Sequence, residues 1–143
     1  MCGIFAYKGK LSNEEDLKSH IEKISYRGPD NSKIIKFDNT LLFGFHRLAI
    51  VGTNKFGDQP LFHPKDQSFA LICNGEIYNY KLLAKKHGFN LKTGSDCEII
   101  LHMYKKFGIQ QTIKSLDGVF MFLLYDKKQK KLLMQKIIKK FSN

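Results

Sequence analysis

The residue with the most chemical potential in this 143-residue chain is Cys2, in the opening Met1-Cys2-Gly3-Ile4-Phe5-Ala6. Aminopeptidases remove an initiator Met when the next side chain is small, and Cys is small. Removal would leave one residue bearing both a thiol and a free α-amino group. Such an amine titrates at about 7.7–8.0 and a thiol at about 8.5, so an N-terminal cysteine is nucleophile and base together. The competing reading makes Cys2 a small buried residue opening a strand. Four further positions have groups suited to chemistry: Arg47, Asn74-Gly75, Glu76 and Asp96. Each also has a structural reading. Asn74-Gly75 after an apolar run suits a tight turn, Asp96 a helix cap, Arg47 an edge-strand ion pair of little worth, and Glu76 a solvated first-turn acid.

The surrounding pattern supplies elements to position them. Met1–Tyr7 reads as a strand. Ser12 and Glu15 form a capping box, and Leu17, Ile21 and Ile24 recur at helical spacing, so a helix is expected over 13–24. Arg27-Gly28-Pro29-Asp30 is a turn. Ser32–Phe37 and Leu41–His46 read as a hairpin closed at Asp38-Asn39, with Leu48–Val51 extending it. Gly52–Pro64 is a loop rich in Gly, Pro, Asn and Asp. Phe69–Cys73 is a strand running into Asn74-Gly75-Glu76, and helices are expected over 80–87 and from Asp96, where Ser95 and Glu98 suggest a second capping box. Ile109–Ser115 adds a helical turn. Val119–Tyr125 is a strand that Leu132–Met134 pairs with across a Lys-rich turn. Two groups of strands with helices between them predict an α+β domain, two stacked sheets with helices outside.

Composition narrows the function classes. With 43% hydrophobic residues the chain is long and apolar enough for one core. No apolar run approaches the ~18–20 residues that span a bilayer, and the start does not read as a signal peptide. Cys2, Cys73 and Cys97 are odd in number and lack metal spacing, which argues for a reducing compartment, hence a soluble cytoplasmic protein. Cys73 in a strand and Cys97 in a first helical turn read as small hydrophobes, and His46 as structural. The net charge of +11 raises nucleic acid as a partner, but residues 127–143 hold seven lysines and no acid, and only Arg27 and Arg47 are arginines. Base reading leans on Arg forks and aromatic platforms, so nucleic acid is not the expected partner. An Arg in so Lys-rich a chain marks a place where a bidentate grip on carboxylate is wanted.

Taken in order, Cys2-Gly3-Ile4, Arg27-Gly28-Pro29-Asp30, His46-Arg47-Leu48-Ala49-Ile50-Val51, Gln59-Pro60, Asn74-Gly75-Glu76-Ile77-Tyr78-Asn79, Gly94-Ser95-Asp96-Cys97-Glu98 and Leu116-Asp117-Gly118-Val119-Phe120 resemble one family closely. It is the glutamine-hydrolysing (class II, N-terminal nucleophile) amidotransferase domain of asparagine synthetase, and the resemblance covers residues 2–134. It implies an N-terminal-nucleophile hydrolase fold of two mainly antiparallel sheets, with glutamine as substrate. Cys2 would attack the glutamine side-chain amide, its own α-amino group relaying the proton to ammonia. The Asn74 side chain and Gly75 N–H would stabilise the oxyanion. Arg47 would fork the substrate carboxylate, Glu76 and Asp96 would receive its ammonium, and Leu48, Ala49, Ile50 and Val51 would line the site. Arg27–Asp30 would frame the pocket or form a purely structural turn.

The chain departs from the family at its end. Residues 135–143 form a divergent Lys-rich tail, and the C-terminal part of the amidotransferase domain is expected to be missing. The resemblance places ATP and Mg in a synthetase domain absent here, so no cofactor or metal is expected in this chain. Ammonia would need a separate synthetase chain as acceptor, and missing strands would favour a homo-oligomer. Alternatives are a catalytically weak glutamine-binding or regulatory module or a gene remnant, and a basic protein whose tail contacts nucleic acid.

Overall fold

A computed structural model describes residues 2–11, 13–48 and 57–138. The elements are β1 (Gly3–Lys8), α1 (Glu14–Glu22), β2 (Asn31–Lys36), β3 (Leu41–Arg47), β4 (Leu61–His63), β5 (Asp66–Ile77), α2 (Tyr80–His87), α3 (Glu98–Ser115), β6 (Gly118–Asp126) and β7 (Lys131–Ile137), with a 3-10 turn at Ser25–Arg27. Two antiparallel sheets result, ordered β1-β3-β2 and β4-β5-β6-β7.

The pleat decides what each sheet face does. Ile4, Ala6, Leu41 and Phe43 of the first sheet pack against Ala70, Ile72, Leu123 and Tyr125 of the second. Alternate residues point the other way. Gly44 on the back of the first sheet lies under Ile21 of α1, where a Cβ would stand 3.1 Å from the Ile21 side chain. Leu71, Cys73, Phe122 and Leu124 on the back of the second sheet join Leu83, Ile99, Ile100 and Met103 of α2 and α3 in the larger core. The order is therefore helix, sheet, sheet, helices, the two stacked sheets with outside helices that the strand and helix pattern predicts.

Several local expectations are corrected. Asn13 caps α1, accepting from Asp16 N at 3.1 Å; Ser12, the other half of the expected capping box with Glu15, lies outside the described residues. Leu61–His63, expected in a loop, pairs with β5 as β4. Asn74-Gly75 is no turn: β5 continues to Ile77, with Asn74 opposite Met121. Ile109–Ser115 continues α3 across a kink at Gly108. The box at Ser95 does not form, because Ser95 N donates to Thr93 Oγ1 and the Glu98 carboxylate turns to Lys92 and Thr93. The strand at 132–134 extends to Ile137.

Candidate active site

The two sheets are aligned end to end. The Asp38 turn of the first meets the Tyr125 end of the second, with Tyr125 OH donating to Asp38 Oδ2 at 3.4 Å and Phe37 edge-on to Tyr125 at 5.2 Å. The opposite ends are joined through Asp58-Gln59, Asp58 pairing with Arg47 at the end of β3 and Gln59 bonding to Cys73 of β5. That end has Cys2 and Arg47 on the first sheet and Asn74, Gly75 and Glu76 on the second. Arg47 lies in pleat phase with Phe43 and Phe45, and Asn74 and Glu76 in phase with Ala70 and Ile72, so all three share the inter-sheet faces.

Cys2 is half-buried. Its Sγ receives the Leu48 N–H at 3.5 Å, and its thiol reaches Leu48 O at 3.9 Å. Arg27 Nε donates to Cys2 O at 3.5 Å, and Asp30 N donates to Arg47 O at 3.0 Å. The Arg27–Asp30 turn thus ties β1 to the end of β3. Gly28 permits this: a Cβ there would fall 2.2 Å from His46 O. His46 is fully buried, bonded to Ser32 Oγ at 2.6 Å and Ile21 O at 2.9 Å, a structural role.

Arg47 Nη1 donates to Asp58 Oδ1 at 2.5 Å, and Asn31 Nδ2 donates to Asp58 Oδ2 at 2.8 Å. On the second sheet, the Gln59 side-chain amide brackets the Cys73 backbone, Nε2 donating to its carbonyl at 3.0 Å and Oε1 accepting its N–H. Gln59 thus continues the β4 edge with a side chain just before Asn74. Gly75 has φ 138° and could carry no side chain, since a Cβ would lie 2.1 Å from Val119 O. Glu76 is exposed. Asp96, half-buried, accepts the Ile77 N–H on Oδ2 at 2.6 Å, which ties its loop to the end of β5.

Cys2, Arg47, Leu48, Asn74, Gly75, Glu76 and Asp96 are therefore held at one end of the sandwich; Ala49, Ile50 and Val51 lie outside the described residues. Cys73 and Cys97 are buried in the larger core, where the neighbouring Cys73 thiol and burial push the Cys97 thiol up, away from the thiolate form. Asp58, Gln59 and Glu98 were not marked by sequence as supports of the site. A single acid in a Gly-rich loop has no periodicity, and a Gln contacting the main chain leaves no sequence trace. Among the described residues no helix is long and apolar enough to cross a membrane.

A family model described as a glutamine amidotransferase domain matches residues 1–136. Among curated proteins, asparagine synthetase [glutamine-hydrolyzing] of Mesocricetus auratus is 44% identical over 139 residues, covering 94% of this chain and 24% of that protein. The Homo sapiens protein of that name is 43% identical with the same coverages. Asparagine synthetase [glutamine-hydrolyzing] 2 of Arabidopsis thaliana is 41% identical over 135 residues, covering 91% and 23%. The chain thus spans about a quarter of the length of these relatives. A solved glutamine phosphoribosylpyrophosphate amidotransferase from B. subtilis superposes with a TM-score of 0.72 at 19% identity, over 89% of this chain and 35% of that one. It establishes a fold shared with that amidotransferase. With a family model matched along nearly its whole length, the chain belongs to the glutamine amidotransferase domain family.

Proposed function

We propose that this chain hydrolyses glutamine to glutamate and ammonia, with Cys2 as nucleophile once Met1 is removed. The observation behind this reading is the meeting of the two sheet ends, with a half-buried thiol on one and Asn74-Gly75 on the other. The Cys2 thiolate attacks the side-chain carbonyl carbon of glutamine. The α-amino group takes the thiol proton and delivers it to the departing nitrogen. The negative charge on the carbonyl oxygen is met by Asn74 Nδ2 and the Gly75 N–H, and a missing donor of this kind typically costs about 2.7–4 kcal/mol in the transition state. Water then cleaves the thioester through a second oxyanion at the same donors, and glutamate leaves.

The other end of glutamine is sorted by charge. Arg47, already oriented by Asp58, takes the α-carboxylate. Glu76 and Asp96 receive the ammonium, Asp96 through the oxygen that Ile77 N does not occupy. Leu48 lines the site beside the thiol. The reading needs no metal or cofactor for the hydrolysis. ATP, Mg and the ammonia-accepting step belong, on this proposal, to a synthetase partner. The test is glutamate release by chain with a verified Cys2 N-terminus, against Cys2→Ala. Release abolished by the substitution supports the reading. A folded, Met-trimmed chain that binds glutamine without turning it over favours the binding-module alternative.

A further inference from the structure

We propose that Glu98 is a positioning residue for glutamine, setting the loop that presents Asp96 without touching substrate. The proposal rests on the reading of Asp96 as a receiver of the substrate ammonium.

Glu98 opens α3, where a capping box would turn its carboxylate back to Ser95. It is instead wholly buried and bonded elsewhere. Oε2 accepts from Lys92 N at 2.8 Å, Thr93 N at 2.7 Å and Thr93 Oγ1 at 2.7 Å. Oε1 takes His102 Nε2 at 3.1 Å and shares the Lys92 N–H at 2.9 Å. A buried carboxylate is costly unless every lone pair has a donor. The loop's N–H groups are thus fixed in place by the acid's own need for them.

The constraint passes along the chain to Asp96. Thr93 Oγ1, donating to Glu98, accepts from Ser95 N at 3.2 Å. Ser95 Oγ in turn accepts from Cys97 N at 3.3 Å, and Ser95 O accepts from Glu98 N at 3.2 Å. Asp96 lies between these anchors, its Oδ2 on Ile77 N, one residue past Glu76. One buried acid therefore sets the orientation of Asp96 and, through Ile77, steadies the strand end with Glu76. Behind it His102 is stacked on Phe89 at 5.2 Å and lies against His63 at 4.7 Å, so the acid has little freedom to shift.

The test separates binding from chemistry. Iodoacetamide alkylation of Cys2, followed by peptide mass spectrometry, gives a rate without glutamine and the glutamine concentration that halves it. Glu98→Gln is expected to raise the half-protecting concentration and KM about tenfold or more, and Thr93→Val about threefold. The unprotected alkylation rate and kcat should stay within about threefold of wild type. Thr93→Ser keeps the hydroxyl and should restore wild-type values, which a loss of packing at Thr93 would not explain. Thr93→Val removes only one hydroxyl, so it keeps the test decisive if Glu98→Gln does not fold. Unchanged protection in folded Thr93→Val overturns the proposal, as does an equal fall in alkylation rate, kcat and affinity. A wild-type chain that glutamine does not protect overturns the glutamine reading itself, and this proposal with it.

Discussion

Asp58→Asn isolates what holds the Arg47 guanidinium. Arg47 and Asp58 are 2.5 Å apart and only 13% and 17% exposed, and Asn31 fixes the second Asp58 oxygen at 2.8 Å. A hydrogen bond to a charged group is worth about 1.5–3 kcal/mol. The substitution keeps one carbonyl acceptor but removes the charge and the second acceptor oxygen, so roughly half of that is lost, about 0.8–1.5 kcal/mol. If Asp58 aims Arg47 at the glutamine carboxylate, the loss appears in binding as a KM about 4–12-fold higher. The turnover number should stay within about threefold, because among the described residues Asp58 bonds to Arg47 and Asn31 rather than to the thiol or the Asn74-Gly75 donors. Steady-state glutamate release over a range of glutamine concentrations measures both. Arg47→Lys belongs in the same series and should raise KM at least as far, since an ammonium cannot fork a carboxylate. A lower KM in Asp58→Asn refutes the reasoning, because Asp58 would then be occupying the substrate's seat. So does a fall in kcat at unchanged KM.

Asn74→Ala should lower kcat about 100–1000-fold with little change in melting temperature, measured by glutamate release and circular dichroism. Gly75→Ala should unfold or grossly destabilise the chain, since its Cβ would stand 2.1 Å from Val119 O; a wild-type melting curve would show the strand pair to be looser than described. Acid unfolding should begin well above the carboxylate range. Burial, with the nearby His102 and Lys105, lowers His63 from 6.5 to about 4, so between these values the unfolded chain takes up a proton that the folded chain refuses, and stability falls with pH. His63→Gln should flatten urea-unfolding free energies over that window; an unaltered slope argues against a buried neutral ring. Glu98 acts lower. Burial alone would raise its carboxyl, but bonds from His102, Thr93 and Lys92 outweigh this and hold it at about 2 against 4.5. Its contribution of about 3 kcal/mol is present above pH 4.5 and lost toward pH 2, and Glu98→Gln should remove that lower limb of the titration.

What was legible in the sequence follows from how local each signal is. Helix α2 was legible at 80–87 because its stop is local: Gly88 closes it in the left-handed conformation, and Leu83 and Ala84 face the core. The hairpin at Asp38 was readable because Asp38 Oδ1 bonds both the N–H and the hydroxyl of Thr40 two residues on. Glu98 was misread for a physical reason: Ser-x-x-Glu spacing is the same whether the acid turns back to the cap or inward to a loop. The choice was made by Thr93 and His102, which supply it with more donors than the cap would. Leu61–His63 was lost in a stretch of Gly, Pro and Asn because three residues are too few to show alternation, and only the partner strand β5 makes them a strand. The candidate site's residues stand in the sequence as types in order, but the pairing of Arg47 with Asp58 joins residues that no local pattern links.

The layered order also divides the chain cleanly by sequence. Residues 2–48 supply α1 and the whole first sheet, and residues 57–138 supply the whole second sheet with α2 and α3. Each half can therefore complete its strand pairings within itself before the two meet, with the β1–β3 and β5–β6 pairs closing the longer loops. On the proposed function, the thiol and the arginine lie in the first half, and the amide donors and both ammonium-receiving acids in the second. A chain with both halves formed but undocked would have native secondary structure and no site. On the proposed function, glutamine turnover is in this sense a reporter of docking, and the lag between strand formation in circular dichroism and the appearance of activity during refolding would time that event directly.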